Sequence, residues 1–291
     1  MKVGVSMWSY FRAWRDHGLD IPGFIRTAHK AGAEGVELLD FFYHDVGADY
    51  SKAPNPALVG AKRRDAMRAL EETGLPVPIF SVAQNFAKVD PAEREIQLEK
   101  VRFGIDEAVL YGAKFVRVFA GDVSPGISFD QARAWIVEGL AAASAYAAEM
   151  GVKLALENHG HLAGRSEQVL GLIQDVRSAS ANDALGANPD TGNFILVDQP
   201  SHKAVKEVAS YAYLVHFKDF KATDDPDAPF ISLAGNRFWG AAVGEGNVNL
   251  PLCIAELKSV GFNGWLSVEY EGEENCFDAV PRCLANTKHN L

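Results

Sequence analysis

Cysteine is scarce in this 291-residue sequence, which contains only Cys253, Cys276 and Cys283. The three residues form no CxxC pair and no even set, so a disulfide framework is not expected. A reducing compartment fits this usage, and we predict a cytoplasmic protein whose thiols are buried and unreactive.

Basic residues are also in short supply, because 28 lysines and arginines face 38 acidic residues and give a net charge of −10. Proteins that bind nucleic acid normally present a basic surface, so we expect no nucleic-acid partner. No window approaches about 18 continuous apolar residues, and the first residues lack the apolar core and cleavage site of a signal peptide. We therefore predict neither a membrane span nor a secretion signal.

Glycine-rich phosphate loops are missing too, since neither GxGxxG nor GxxxxGK[ST] follows the first apolar run. This absence argues against an open doubly wound sheet. Short apolar runs instead alternate with longer amphipathic stretches. The runs predicted as strands are 2–8, 35–40, 76–84, 114–121, 152–159, 185–190, 213–219 and 264–270. Eight strands alternating with eight helices predict an α/β fold, a single (β/α)₈ TIM barrel over residues 1–291. The Pro-, Asp- and Gly-rich segment 222–247 is predicted to be an extended loop after strand seven.

Polar residues stand at the carboxyl ends of four successive predicted strands: Glu157, Asp190, His216 and Glu269. In a barrel these strand ends converge on one mouth. Three carboxylates brought together repel one another unless a cation neutralises them. Carboxylate and imidazole ligands suit Mn²⁺ first and Mg²⁺, Co²⁺ or Zn²⁺ next. The sequence therefore predicts a divalent metal site.

Alternation along strand five predicts which side chains enter the barrel. If Glu157 points inward, Ala155 and His159 share its face, while Leu154 and Leu156 point out toward the helices. Small residues inside and branched aliphatic residues outside fit a barrel strand.

Three further polar residues lie in or beside the strands. Glu37 and Arg117 both occupy mid-strand positions, and we predict that they pair inside the barrel. Asn158 has the opposite parity to Glu157 and is expected to hold the backbone of the next loop.

The order of several motifs resembles the xylose-isomerase-like sugar isomerase/epimerase superfamily, which shares its barrel with endonuclease IV. The motifs are ENH after strand five, NPDTGN after strand six, HFKD on strand seven, GEG in the following loop and SVEYEG on strand eight. The resemblance implies that Glu157, Asp190, His216 and Glu269 ligate the metal. It also implies that Glu157 and Glu269 are the catalytic acid/base pair, and that the protein forms a homodimer or homotetramer.

The sequence departs from the family pattern at two positions. Many related epimerases place a substrate-contacting histidine where this sequence has Asn193, and some place an arginine at Ala222. An amide can bind a hydroxyl group but cannot carry a proton. We predict that Asn193, His159, Lys218 and Trp239 bind the substrate, with the Trp239 ring stacking on a sugar or on its aglycone.

The function expected from these features is metal-dependent isomerisation or epimerisation of a ketose or keto-sugar through an enediolate. A lyase or dehydratase that eliminates a group from a 3-keto-glycoside or inosose would use the same intermediate. A non-catalytic sugar-binding subunit and a phosphodiesterase like endonuclease IV are weaker alternatives. The few histidines at the strand ends and the acidic net charge disfavour the phosphodiesterase.

Overall fold

The computed structural model describes residues 1–122 and 126–291, and a parallel sheet forms its centre. The strands are β1 (Lys2–Ser6), β2 (Val36–Leu39), β3 (Ile79–Ser81), β4 (Phe115–Val118), β5 (Lys153–Glu157), β6 (Leu185–Asn188), β7 (Leu214–Phe217), β8 (Asp219–Thr223), β9 (Phe230–Ile231), β10 (Arg237–Ala241) and β11 (Trp265–Val268). The α-helices are α1 (Phe11–His17), α2 (Ile21–Lys30), α3 (Pro56–Thr73), α4 (Pro91–Tyr111), α5 (Phe129–Glu149), α6 (Ser166–Ser180), α7 (Asn193–Leu196), α8 (Ser201–Val208), α9 (Leu250–Ser259) and α10 (Cys276–His289). Short 3₁₀ turns at Met7–Tyr10, Asp40–Tyr43 and Ala209–Tyr211 connect some of them.

Eight of the strands pair in parallel in the order β6-β5-β4-β3-β2-β1-β11-β7. The seam between β6 and β7 is joined by two isolated bridges, Ala187 with Ala212 and Asp190 with His216. The Tyr213 N–H also donates to the Ala187 carbonyl at 2.9 Å. The sheet is therefore a nearly closed barrel alternating with helices, and the predicted TIM-barrel fold is confirmed.

The apolar core has two parts, as strand alternation requires. Leu154 and Leu156 belong to the large layer between the sheet and the surrounding helices. Ile79, Ala155 and Leu214 form a separate small cluster inside the barrel. The predicted facing of Ala155, Leu154 and Leu156 is thus observed, and the apolar plug leaves the upper part of the interior to polar residues.

Helices end where the local sequence provides a capping group. Ser128 accepts a hydrogen bond from the N–H of Gln131, whose side chain in turn accepts from the Ser128 N–H. Gly74 ends α3 with a φ of 70°, the left-handed conformation that glycine adopts without strain. Among the described residues, none of the helices is long and apolar enough to cross a membrane.

The segment predicted as an extended loop after strand seven differs from that prediction, because much of it is ordered as a small antiparallel sheet. Strand β10 lies between β8 and β9, with Trp239 opposite Lys221. The buried Phe220 packs against Phe230, with ring centroids 4.6 Å apart. Proline, aspartate and glycine concentrated in the turns hid the two longer strands from sequence reasoning.

Candidate metal centre

Four polar side chains meet at the carboxyl end of the barrel. Glu157 is the last residue of β5, His216 lies within β7, and Asp190 and Glu269 follow β6 and β11. All four are buried, and one ligand atom from each lies within 4.8 Å of every other. The structure thus brings together the complete set of predicted metal ligands.

Asn158 fixes the backbone at the strand end that carries Asp190. Its amide oxygen accepts from the Asp190 N–H at 2.6 Å, and its amide nitrogen donates to the Asp190 carbonyl at 3.1 Å. The Asp190 Oδ1 atom then accepts from the backbone N–H groups of Gly192 and Asn193 at 2.9 and 2.8 Å. The predicted backbone role of Asn158 is therefore observed, although its partner is the end of the neighbouring strand.

His216 is oriented by a carboxylate on the side away from the centre. Its Nε2 lies 3.0 Å from Glu37 Oε2, and the hydroxyls of Ser267 and Ser81 each donate to Glu37 at 2.5 Å. With Nε2–H donating to Glu37, the Nδ1 atom faces the cluster, 3.3 Å from a Glu157 oxygen. Burial acts to raise the pKa of Glu37, but the interactions with His216, Arg117 and Ser267 together outweigh it and keep that pKa below its ordinary value.

Two ligand atoms of the cluster have unsatisfied hydrogen-bonding capacity, and this fits the binding of a divalent cation. Asp190 Oδ2 and His216 Nδ1 are buried and have no hydrogen bond, although the Lys218 ammonium lies 3.2 Å from the former. Burial, with repulsion from Glu157 and Glu269, raises the pKa of Asp190 to about 7 despite that ammonium. A cation bound between these atoms would satisfy the unpaired ones and relieve the repulsion.

Arg117 and Asn193 hold Glu157 from two sides. Arg117 Nε lies 3.2 Å from its Oε2, and Asn193 Nδ2 donates to its Oε1 at 3.1 Å. Burial would raise the pKa of Glu157, but the charges of His216 and Arg117 outweigh it and hold that pKa far below its ordinary value. The predicted ion pair between Glu37 and Arg117 is not observed. Arg117 contacts Glu157 instead. Glu37 is instead nearest the imidazole on the opposite side of the barrel.

Lys218 brings a buried ammonium to the same place. Its Nζ lies 2.7 Å from Glu269, 3.4 Å from Glu271 and 3.3 Å from the amide oxygen of Asn193. Asn193 therefore links Glu157 to Lys218, and both predicted substrate-binding residues adjoin the cluster. Burial disfavours the charge of Lys218, but the surrounding carboxylates raise its pKa well above the ordinary value.

The other two predicted substrate-binding residues lie farther out. His159 is exposed, and its ring contacts Phe119 at a centroid distance of 4.6 Å beside a cavity of about 230 Å³. Phe119 in turn lies under the guanidinium of Arg117. The Trp239 indole N–H donates to Asp225 within the insertion at 3.2 Å.

Sequence reasoning missed the residues that hold the ligands from behind. Ser81 and Ser267 were not singled out, and Glu37 was assigned a different partner. The available signal was parity, since the register places Ser267 beside His216 and Ser81 beside Arg117 inside the barrel.

The HFKD and GEG motifs are joined by one carboxylate. Asp219 accepts from the backbone N–H groups of Phe220, Gly244, Gly246 and Val248 at 2.9–3.0 Å. A Cβ on Gly246 would lie 2.3 Å from Asp219 Oδ1, so only glycine fits there. Asp219, the residue immediately after the lysine of the site, thus anchors the end of the insertion.

Residues 25–287 match the family model described as the xylose isomerase-like TIM barrel. The chain belongs to this family. Among curated proteins, none matches the sequence. Three of the solved structures that resemble this member of the family do so over nearly its full length. A 3-keto-D-glucoside 4-epimerase from E. coli shares 16% identity, covers 99% of both chains and has a TM-score of 0.72.

A xylose isomerase-like protein from Mycobacterium smegmatis in complex with magnesium shares 18% identity with a TM-score of 0.72, covering 99% of this chain and 95% of its own. A probable 3-DHS dehydratase involved in petrobactin synthesis in Bacillus anthracis shares 19% identity with a TM-score of 0.71, covering 99% and 98%. At these identities the likeness shows a shared fold.

Proposed function

We propose that this protein is a metal-dependent isomerase or epimerase that moves a proton next to the carbonyl of a ketose or keto-sugar. The convergence of Glu157, Asp190, His216 and Glu269 in one buried cluster carries the proposal. Mn²⁺ is the cation that three carboxylates and one imidazole suit best, and a structural neighbour holds magnesium. A sugar epimerase and a probable dehydratase among the neighbours support enzymatic function.

The four ligands would hold the cation, which when bound supplies Lewis acidity to a substrate carbonyl and its neighbouring hydroxyl. One of the two glutamates, Glu157 or Glu269, removes the proton from the adjacent carbon. The substrate becomes an enediolate, and the other glutamate returns a proton to the opposite face or to the neighbouring carbon. Asn193 and Lys218 offer an amide and an ammonium to the hydroxyl groups beside this carbon.

Elimination is a second candidate, and the position of Lys218 favours it. Its ammonium lies 2.7 Å from Glu269 and can give a proton to a departing oxygen. In that reaction a glutamate takes the proton from the carbon beside the carbonyl. The electron pair of the broken C–H bond forms a carbon–carbon double bond, and the bond to the leaving oxygen breaks. The resulting lyase or dehydratase would share every residue of the epimerase site.

The test is NMR in D₂O with Mn²⁺-loaded and EDTA-treated protein over a panel of ketoses, inososes and 3-keto-glycosides. Metal-dependent deuterium uptake beside a carbonyl is expected, and the product separates epimerase, isomerase and lyase. Metal-loaded protein that exchanges no proton on any compound would contradict the proposal and favour a sugar-binding subunit.

The two-carboxylate mechanism also predicts the behaviour of Glu269→Gln. An amide cannot accept the proton, so kcat should fall by about 10²-fold or more. Glu138→Gln changes an exposed carboxylate on α5, away from the cluster, and serves as the control. Wild-type turnover in the Glu269→Gln variant would refute this role of Glu269.

A further inference from the structure

A cavity of about 680 Å³ opens beside the cluster at the carboxyl ends of β1 and β11. Its lining includes Trp8, Phe11, Tyr270, Glu271 and Phe277, but none of the four metal ligands. Ligand pockets for drug-sized molecules span roughly 300–1,000 Å³. The reacting carbons must lie at the cluster, so this cavity is available to a different part of the substrate.

One residue joins the cavity to the site. Glu271 Oε1 accepts from the Trp8 indole N–H at 2.8 Å and lies 3.4 Å from the Lys218 ammonium. Lys218 in turn contacts Glu269. The cavity therefore borders the cluster, and Glu271 is the side chain that lies between the Trp8 wall and Lys218.

One part of the cavity wall consists of aromatic rings that pack against one another or against neighbouring rings. Trp8 stacks on Phe11 with ring centroids 4.7 Å apart, and Phe41 meets Trp8 edge-on at 5.6 Å. Phe230 from the insertion and Phe277 from the start of α10 add two more rings to the lining. Such walls bind a planar apolar group by burial and ring contact.

The two arginines that line the cavity are already paired with carboxylates. Arg12 binds Glu273, and Arg15 binds Asp16 through two hydrogen bonds of 2.7 Å. These arginines are therefore engaged, which disfavours recognition of a phosphate group in this cavity.

Resting on the proposed function, we infer that the substrate is a keto-glycoside with an uncharged aromatic aglycone, which binds in the cavity formed by Trp8, Phe11, Tyr270, Phe230 and Phe277. A free ketose would leave this space to water. The cavity then selects the substrate, while the cluster carries out the proton transfer.

The experiment compares phenyl β-D-glucoside with methyl β-D-glucoside, and their 3-keto derivatives with each other. Calorimetric titration of metal-stripped protein measures binding, and metal-loaded protein provides kcat/KM. We expect the phenyl compounds to exceed the methyl compounds by about tenfold or more in both measurements.

Phe277→Ala tests the wall directly, because Phe277 is 43% exposed and its loss should leave the core intact. The variant should lose most of the phenyl preference while its values for the methyl compounds stay unchanged. Phe129→Ala removes a similarly exposed ring at the start of α5, outside the cavity. This variant should change neither the phenyl preference nor the values for the methyl compounds.

Equal results for phenyl and methyl compounds in the wild-type protein would overturn the inference, whether or not the protein exchanges deuterium. Absence of exchange together with a phenyl preference that Phe277→Ala removes would contradict the proposed proton transfer while supporting the cavity as an aglycone site. The two failures are thus distinguishable.

Discussion

Both ring nitrogens of His216 lie near carboxylates, but the surroundings of the two nitrogens differ. Toward the barrel wall, Glu37 holds Nε2 and is itself held by two serine hydroxyls. Toward the centre, Nδ1 is left without a hydrogen bond. A carboxylate behind a histidine fixes the tautomer and increases the basicity of the nitrogen that faces a metal.

Glu37→Gln should therefore weaken metal binding while leaving the ligands in place. The amide keeps the shape but removes the negative charge behind His216, and we expect Mn²⁺ affinity to fall about 10–100-fold. Calorimetric titration measures the affinity. Glu138→Gln, an exposed residue on α5, is the matched control. Unchanged affinity in Glu37→Gln would show that the carboxylate serves only packing.

For single residues, the side chains at the ends of the strands could be predicted from the sequence, but the hydrogen-bond and ion-pair partners of the inward-facing residues could not. Glu157, Asp190, His216 and Glu269 were found because strand order alone places them at one mouth. The pairing of Glu37 with His216 depends on rotation of strands around the barrel, which a linear sequence does not encode locally. Glu37 and Arg117 each have several inward-facing groups as possible partners, and the sequence does not say which of them is chosen.

One buried side chain, Asp219, gathers the backbone at the end of the insertion β8–β10. Asp219 accepts four backbone hydrogen bonds, from Phe220, from both glycines of the GEG motif and from Val248. Burial raises the pKa of Asp219, and these four N–H groups oppose that effect. The segment from Gly244 to Val248 owes its course to this carboxylate.

Asp219→Asn should destabilise the protein by about 1–3 kcal/mol, because an amide nitrogen cannot accept and buried N–H groups lose their partner. Urea unfolding gives the free energy of unfolding. Asp224→Asn, exposed in the same insertion, should have no effect. Equal unfolding midpoints for the two variants would mean that the loop does not depend on Asp219.

Several tyrosines of the folded protein have a pKa above the ordinary value. Tyr43 and Tyr111 share a hydrogen bond of 2.5 Å, and burial is the main cause that raises the pKa of Tyr111 from 10.0 to about 12. Burial raises the pKa of Tyr270 to about 12 as well. The unfolded chain loses these protons first, so stability present below pH 10 is lost as the pH rises toward 12.

The free energy of unfolding should accordingly fall between pH 10 and 12, by up to about 1.4 kcal/mol per pH unit for each such tyrosine. Tyr111→Phe removes one ionisable group and should flatten this decline. Urea titrations at several pH values measure it, with Tyr211→Phe as the control. A decline of identical slope in Tyr111→Phe would assign the alkaline instability to other groups.

The barrel as a whole was predictable because eight similar units repeat and each strand is buried on both faces. The sheet inside the insertion was not, since its strands are short, half exposed and interrupted by turn residues. Repetition supplies many independent signals for one architecture, whereas a single insertion supplies one.

The seam between β6 and β7 bears on how the protein is made. Glu157 and Asp190 precede the seam, His216 and Glu269 follow it, and the bridge between Asp190 and His216 crosses it. A nascent chain leaving the ribosome exposes Glu157 and Asp190 first, then His216, and Glu269 last. On the proposed function, a complete set of four ligands for the ion therefore exists only after β11 has been translated and has paired with β7.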